Sequence, residues 1–187
     1  MARNPVLPPN VNESNLHFTV SGNDIRYGLL AVKNLGRNFI DEIISERINN
    51  PYEDFFDFCK RLYGRNMNSR AIESLIKCGA FDGLGANRRQ LLAISKTVLD
   101  DFEYESRRNA GGQMSFFDDA EVDAQSSKPK IPDLPEFPVS ELLHMENEIA
   151  GMYLSGHPLD EYTTFSKAIH ADTNGDGVVT DADMTVI

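Results

Sequence analysis

The chain has 187 residues, 41% of them apolar, which is enough to bury a core in part of its length and excludes wholesale disorder. No stretch approaches the roughly 20 consecutive apolar residues that cross a bilayer, and Met1-Ala2-Arg3-Asn4-Pro5 lacks a charged-then-apolar targeting pattern. No membrane partner is expected. Two cysteines, Cys59 and Cys78, fit neither a disulfide scaffold nor zinc-finger spacing, so both read as core thiols in a reducing, cytoplasmic setting.

The net charge of −11 is uneven. Residues 1–23 balance to zero, residues 24–108 carry fourteen Lys/Arg against thirteen Asp/Glu, and residues 109–187 carry three against fifteen. The acidity belongs to the tail. A near-neutral front can still gather its positives against phosphates, whereas the tail is repelled by them.

Residues 4–15 hold three prolines in twelve positions and read as an extended arm. Leu16-His17-Phe18-Thr19-Val20 and Ile25-Arg26-Tyr27 flank Ser21-Gly22-Asn23-Asp24 and predict a β-hairpin. From Leu29 the period becomes helical, and the run Leu29–Asn38 followed by Phe39, Ile40, Ile43, Ile44 and Ile48 predicts two helices meeting at a tight turn. Asn50-Pro51 is expected to open the next helix, whose buried face is Phe55, Phe56, Cys59 and Leu62. A second helix–turn–helix follows: Ser69 caps a helix with Ile72, Leu75 and Ile76 inward, residues 79–85 turn, and a long helix runs through Leu91, Leu92, Val98, Leu99 and Phe102. Beyond Arg108 an acidic, glycine-, serine- and proline-bearing linker extends to about residue 138, too polar to fold alone. Ser140 then caps one more amphipathic helix with Leu142, Leu143, Met145, Ile149 and Met152 apolar.

The two turns share one design. An apolar residue, Leu35 or Leu84, pins the turn, and Gly36 or Gly85 opens the next helix with its amides uncovered. Uncovered amides at the positive end of a helix dipole form an anion site, and Arg37, Arg88 and Arg89 add mobile positive charge beside them. Such groups would position a duplex without reading its bases. The pattern resembles the helix–hairpin–helix DNA-binding motif, with Asn34 where that motif usually places its first glycine; Asn tolerates positive φ, so the turn survives. The residues so assigned to DNA are Asn34, Gly36, Arg37, Asn38, Gly83, Gly85, Asn87, Arg88 and Arg89.

Gln113-Met114-Ser115-Phe116-Phe117 places a Gln, an aliphatic residue and two aromatics between glycines and an acidic run. It resembles the short peptide by which bacterial polymerases hold the sliding clamp: the Gln meets backbone at a pocket rim, while Met114 and the two Phe fill apolar pockets. Four histidines, His17, His144, His157 and His170, form no i, i+4 pair, and Gly156-His157-Pro158 reads as a shaped turn.

The order of Leu7-Pro8-Pro9-Asn10-Val11-Asn12, Ile25-Arg26-Tyr27-Gly28-Leu29, residues 79–85, Gly112–Phe117 and Gly151-Met152-Tyr153-Leu154-Ser155-Gly156-His157-Pro158-Leu159-Asp160-Glu161-Tyr162 resembles the family of bacterial DNA polymerase III alpha subunits. The resemblance covers about residues 4–165. It implies an internal slice of a longer polymerase: residues 1–28 close the fingers region, 29–108 form a tandem helix–hairpin–helix domain, 109–138 carry the clamp peptide, and 139–187 approach an OB-fold. The fold class expected is mainly α with a small N-terminal β-hairpin. The family's magnesium-binding carboxylates match no residue of this chain, so the slice is expected to be catalytically inert, with no cofactor of its own. Double-stranded DNA, the sliding clamp and other replicase subunits are the partners implied.

The tail follows another pattern. Asp172, Asn174 and Asp176 at loop positions 1, 3 and 5, Gly177 at 6, the Val178 carbonyl at 7, Thr180 at 9 and Asp183 at 12 resemble an EF-hand calcium loop, and most closely a dockerin repeat. Two alternatives to the polymerase reading therefore stay open: a freestanding helix–hairpin–helix repair protein, and a calcium-dependent dockerin-like assembly module.

Overall fold

A computed structural model describes residues 6–110 and 129–158. The chain divides into two compact units, Met1–Leu154 and Ser155–Ile187, and all elements described below belong to the first. The architecture is mainly α with a small sheet.

The hairpin forms between β2 (Thr19–Ser21) and β3 (Asp24–Arg26), antiparallel with Ser21 facing Asp24 across the Gly22-Asn23 loop, where Gly22 has φ +63°. Strand β2 starts three residues later than the apolar run suggests. The arm supplies a third strand that alternation does not reveal: β1 (Val6–Leu7) pairs parallel to β3. Past β1 the arm docks on the helices. Val11 is fully buried and its amide donates to the Ala80 carbonyl, while Asn12 exchanges side-chain hydrogen bonds with both backbone groups of Tyr52.

The first helix of the first hairpin is only a 3₁₀ turn, Leu29–Ala31, followed by α1 (Arg37–Arg47). Helix α2 runs Phe55–Leu62 and starts later than Asn50-Pro51 suggests. Asp54 caps it, accepting from the Asp57 amide, because a short carboxylate at an extended residue satisfies a free first-turn N–H. In the same way Asn68, not Ser69, caps α3 (Ser69–Lys77) through the Ala71 amide. Helix α4 runs Arg88–Ala110, and α5 runs Val139–Ala150 after Pro138 rather than from a Ser140 cap.

One core holds these elements. Phe55, Phe56, Cys59 and Leu62 of α2, Ile72, Leu75 and Ile76 of α3, and Leu91 and Val98 of α4 are all buried, as the helical period requires. Ile48 departs from its predicted face at 73% exposure, because α1 has ended before it. An edge-to-face aromatic chain joins the hairpins: Phe39 of α1 meets Phe58 of α2, and Phe58 meets Phe81 of the second turn at 4.9 Å between ring centroids. Both cysteines are free and buried; burial raises both thiols, Cys78 to about 12. Among the described residues no helix is long and apolar enough to cross a membrane.

Candidate nucleic-acid interface

The bend before α1 is built as the sequence suggests. Asn34 sits at φ +64°, in the left-handed region, and its side-chain amide donates to Ser74 Oγ at 2.9 Å, tying the bend to α3. Leu35 is buried beneath it. Gly36 is the N-cap of α1 and leaves that end without a side-chain cap, with no atom within 4 Å of where a Cβ would stand. Gly36, Arg37 and Asn38 are all exposed. Beside them, Asn34 joins Asn68, Ser69 and Arg70 in lining an open cavity of about 440 Å³.

The bend before α4 is built differently. Helix α3 ends in a Schellman turn, with the Ala80 amide donating to Leu75 O and the Gly79 amide to Ile76 O. Gly79, at φ +80°, is required twice over: the conformation is left-handed, and an added Cβ would lie 2.3 Å from Arg88 Nη2. Gly83 and Gly85 are exposed at φ +87° and +90°, but Gly85 does not open the helix. Ala86 and Asn87 intervene, and Asn87 makes a reciprocal capping pair with Gln90: each side chain accepts from the other's amide.

Arg88 is not the mobile phosphate contact that its position in the motif suggests. It is 3% exposed, and its guanidinium donates to Asp82 Oδ2 at 2.7 Å and to Glu146 Oε1 at 2.9 Å, with a further bond to the Lys77 carbonyl. Burial alone would lower its pKa, but the hydrogen bonds and charge of Asp82 and Glu146 outweigh that and hold it charged, with the net shift upward. Here the residue types matched the motif, while a carboxylate 58 residues away decided the role.

The amides that open α4 are occupied as well. Glu136 Oε2 accepts from the Arg88 amide at 2.9 Å and Oε1 from the Arg89 amide at 3.2 Å. Residues 132–137 run across this helix end: Gln90 donates to the Pro132 carbonyl, Asn87 donates to the Leu134 carbonyl, and the Arg89 guanidinium lies 5.5 Å above the Phe137 ring. The last part of the acidic linker is therefore a docked strap, and Arg89, though exposed, leans on it. Sequence reading missed Glu136 and Glu146. The only signal was a carboxylate on an otherwise apolar face of α5.

Helix α5 braces both hairpins. Its Glu146 takes Arg88 of the second, and its last carbonyls take the first: Lys33 N donates to Ile149 O, Lys33 Nζ to Glu148 O, and the Tyr27 hydroxyl to Ala150 O.

A family model described as a helix-hairpin-helix motif matches residues 4–91, spanning both bends. The chain is 37% identical over 159 residues to DNA polymerase III subunit alpha of Xylella fastidiosa, 38% identical over 157 residues to that of Bacillus subtilis, and 40% identical over 158 residues to that of Mycobacterium leprae. The chain belongs to the DNA polymerase III alpha-subunit family. The aligned region takes in 83–84% of this chain but only 13–14% of the relatives' length, so the match is to one segment of that family. Both α5 and its ion pair with the second hairpin fall within the first compact unit of that segment.

The residues expected to form a clamp peptide, Gln113, Met114, Ser115, Phe116 and Phe117, and the calcium-loop pattern of Asp172, Asn174, Asp176, Val178, Thr180 and Asp183 lie outside the described residues. Among the described residues no group of three or more His, Cys, Asp or Glu is placed to hold a metal ion.

Proposed function

We propose that this segment is a tether for a bacterial replicative polymerase: it grips the sugar–phosphate chain of duplex DNA through its first helix–hairpin–helix bend and holds the sliding clamp through Gln113–Phe117. The observation that carries the first half is the uncapped start of α1, where Gly36 leaves the first-turn amides without a side-chain partner and Arg37 stands exposed beside them. A backbone phosphate is a fitting anion for that end, since amides and dipole act together there. The contact reads no base, so it suits an enzyme that must hold any sequence.

The clamp half is supported by the peptide itself and by its place in the family order. Two weak attachments on one chain multiply residence through effective concentration, which serves processive DNA-templated synthesis. Nucleotidyl transfer would belong to parts of the longer relatives beyond this segment.

Titration of fluorescent duplex at graded salt tests the DNA contact. Arg37→Ala is expected to weaken binding equally for all sequences and to lower the salt slope by about 1; an unchanged isotherm rejects the phosphate role. Deletion of Gln113–Phe117 is expected to abolish capture by purified clamp while sparing DNA binding. A second reading, calcium at Asp172–Asp183, rests on the ligand spacing of that loop. Calorimetry of the wild type against Asp172→Ala decides it, and identical traces mean that no site exists there.

A further inference from the structure

The two hairpins stand in opposite states. The first helix start, at α1, has no side-chain cap; the second, at α4, carries the Glu136 carboxylate on two successive amides. One carboxylate oxygen per amide is the arrangement that two non-bridging oxygens of a phosphate would adopt at a helix N-terminus. The carboxylate comes from the strap, 47 residues beyond Arg89, and is not part of the α4 helix.

We infer that Glu136 is an autoinhibitory anion: it occupies in cis the phosphate seat of the second hairpin, and a DNA backbone phosphate must displace it before that hairpin can engage. This rests on the duplex-binding reading above. The neighbouring residue completes the block. Phe137 lies under Arg89, so the same strap holds both the amides and the remaining mobile cation of this hairpin. Arg88 cannot take Arg89's place, because its guanidinium is committed to Asp82 and Glu146. Elsewhere the strap is fastened by neutral hydrogen bonds from Asn87 and Gln90 to its carbonyls at Leu134 and Pro132. These carry no charge that would oppose an incoming phosphate. Glu136 is the charged fastening, and a backbone phosphodiester, with one negative charge shared over two non-bridging oxygens, competes with it directly.

The test is duplex titration of the whole chain as wild type, Glu136→Gln and Asp133→Asn. Asp133 is exposed on the same strap, so its replacement makes the same charge change without touching the amides. Glu136→Gln is expected to bind several-fold tighter than Asp133→Asn, with a salt slope steeper by about 0.9, the increment for one further phosphate. The Arg88 and Arg89 amide resonances should move on adding duplex in Glu136→Gln and stay in place in the wild type at matched saturation. Phe137→Ala supplies a second variant with the same expected direction. Equal affinity and slope for Glu136→Gln and Asp133→Asn would overturn the inference while leaving the duplex reading intact. Absence of binding by every variant, including at low salt, would overturn both. Binding by Glu136→Gln alone would leave the second hairpin as the working contact and support the block.

Discussion

Arg88 Nη1 and Glu146 Oε1 meet at 2.9 Å with the two side chains 3% and 0% exposed, joining the start of α4 to the middle of α5 across 58 residues of chain. The second oxygen of Glu146 accepts from the Leu154 amide, so the carboxylate is fully engaged. This pair, rather than the aromatic core alone, keeps α5 against the second hairpin.

Glu146→Ala should therefore cost about 3–5 kcal/mol in urea unfolding, since it takes the fully buried carboxylate from the Arg88 guanidinium and its acceptor from the Leu154 amide. Asp82→Ala should cost much less, because Asp82 is 47% exposed and water can take its place. Equal losses for the two variants would show that burial does not set the energy of this network.

Gly79 and Gly83 separate backbone strain from steric exclusion. Both have positive φ, but only Gly79 has the Arg88 guanidinium where a Cβ would go, whereas nothing lies within 4 Å at Gly83. Gly83→Ala is expected to lose about 1–2 kcal/mol from left-handed backbone alone. Gly79→Ala should lose clearly more and should loosen α5 as well, seen as faster amide exchange along α5.

Asn34 offers the converse comparison. Asn34→Gly keeps the left-handed bend and gives up only the bond to Ser74, so stability should change by about 1 kcal/mol or less. Asn34→Ala loses that bond and strains the bend, and thermal melting should show the larger drop. Equal drops for the two variants would mean that the Ser74 contact, not the φ value, is the reason for Asn at this position.

Cys59 and Cys78 should resist thiol reagents at pH 8 in the native chain and react fully in denaturant, because both are buried and their ionisation is pushed up. Folding favours the protonated thiol, so the contribution is intact below the ordinary value of 9.0 and is lost as pH rises toward about 12 for Cys78. Alkaline unfolding that begins at lower pH in the wild type than in Cys78→Ala would agree with this; a coincident onset would contradict it.

The helices and their inward faces were legible because a 3.6-residue period survives in any one-sided helix, as in Phe55, Phe56, Cys59 and Leu62 or Ile72, Leu75 and Ile76. The bend at Asn34 was legible for a similar reason, since few side chains tolerate its backbone. Helix starts slipped by one to several residues, because Asn50, Ser69 and Ser140 are all competent caps and only tertiary packing selects among such neighbours. What sequence alone determined was local: turns, faces and the motif that places the chain in its family. Only the folded chain decided which hairpin is open and which is closed, because Glu136 and Glu146 act on Arg88 and Arg89 from 47 to 58 residues away, and pairing at that distance leaves no periodic trace in the sequence.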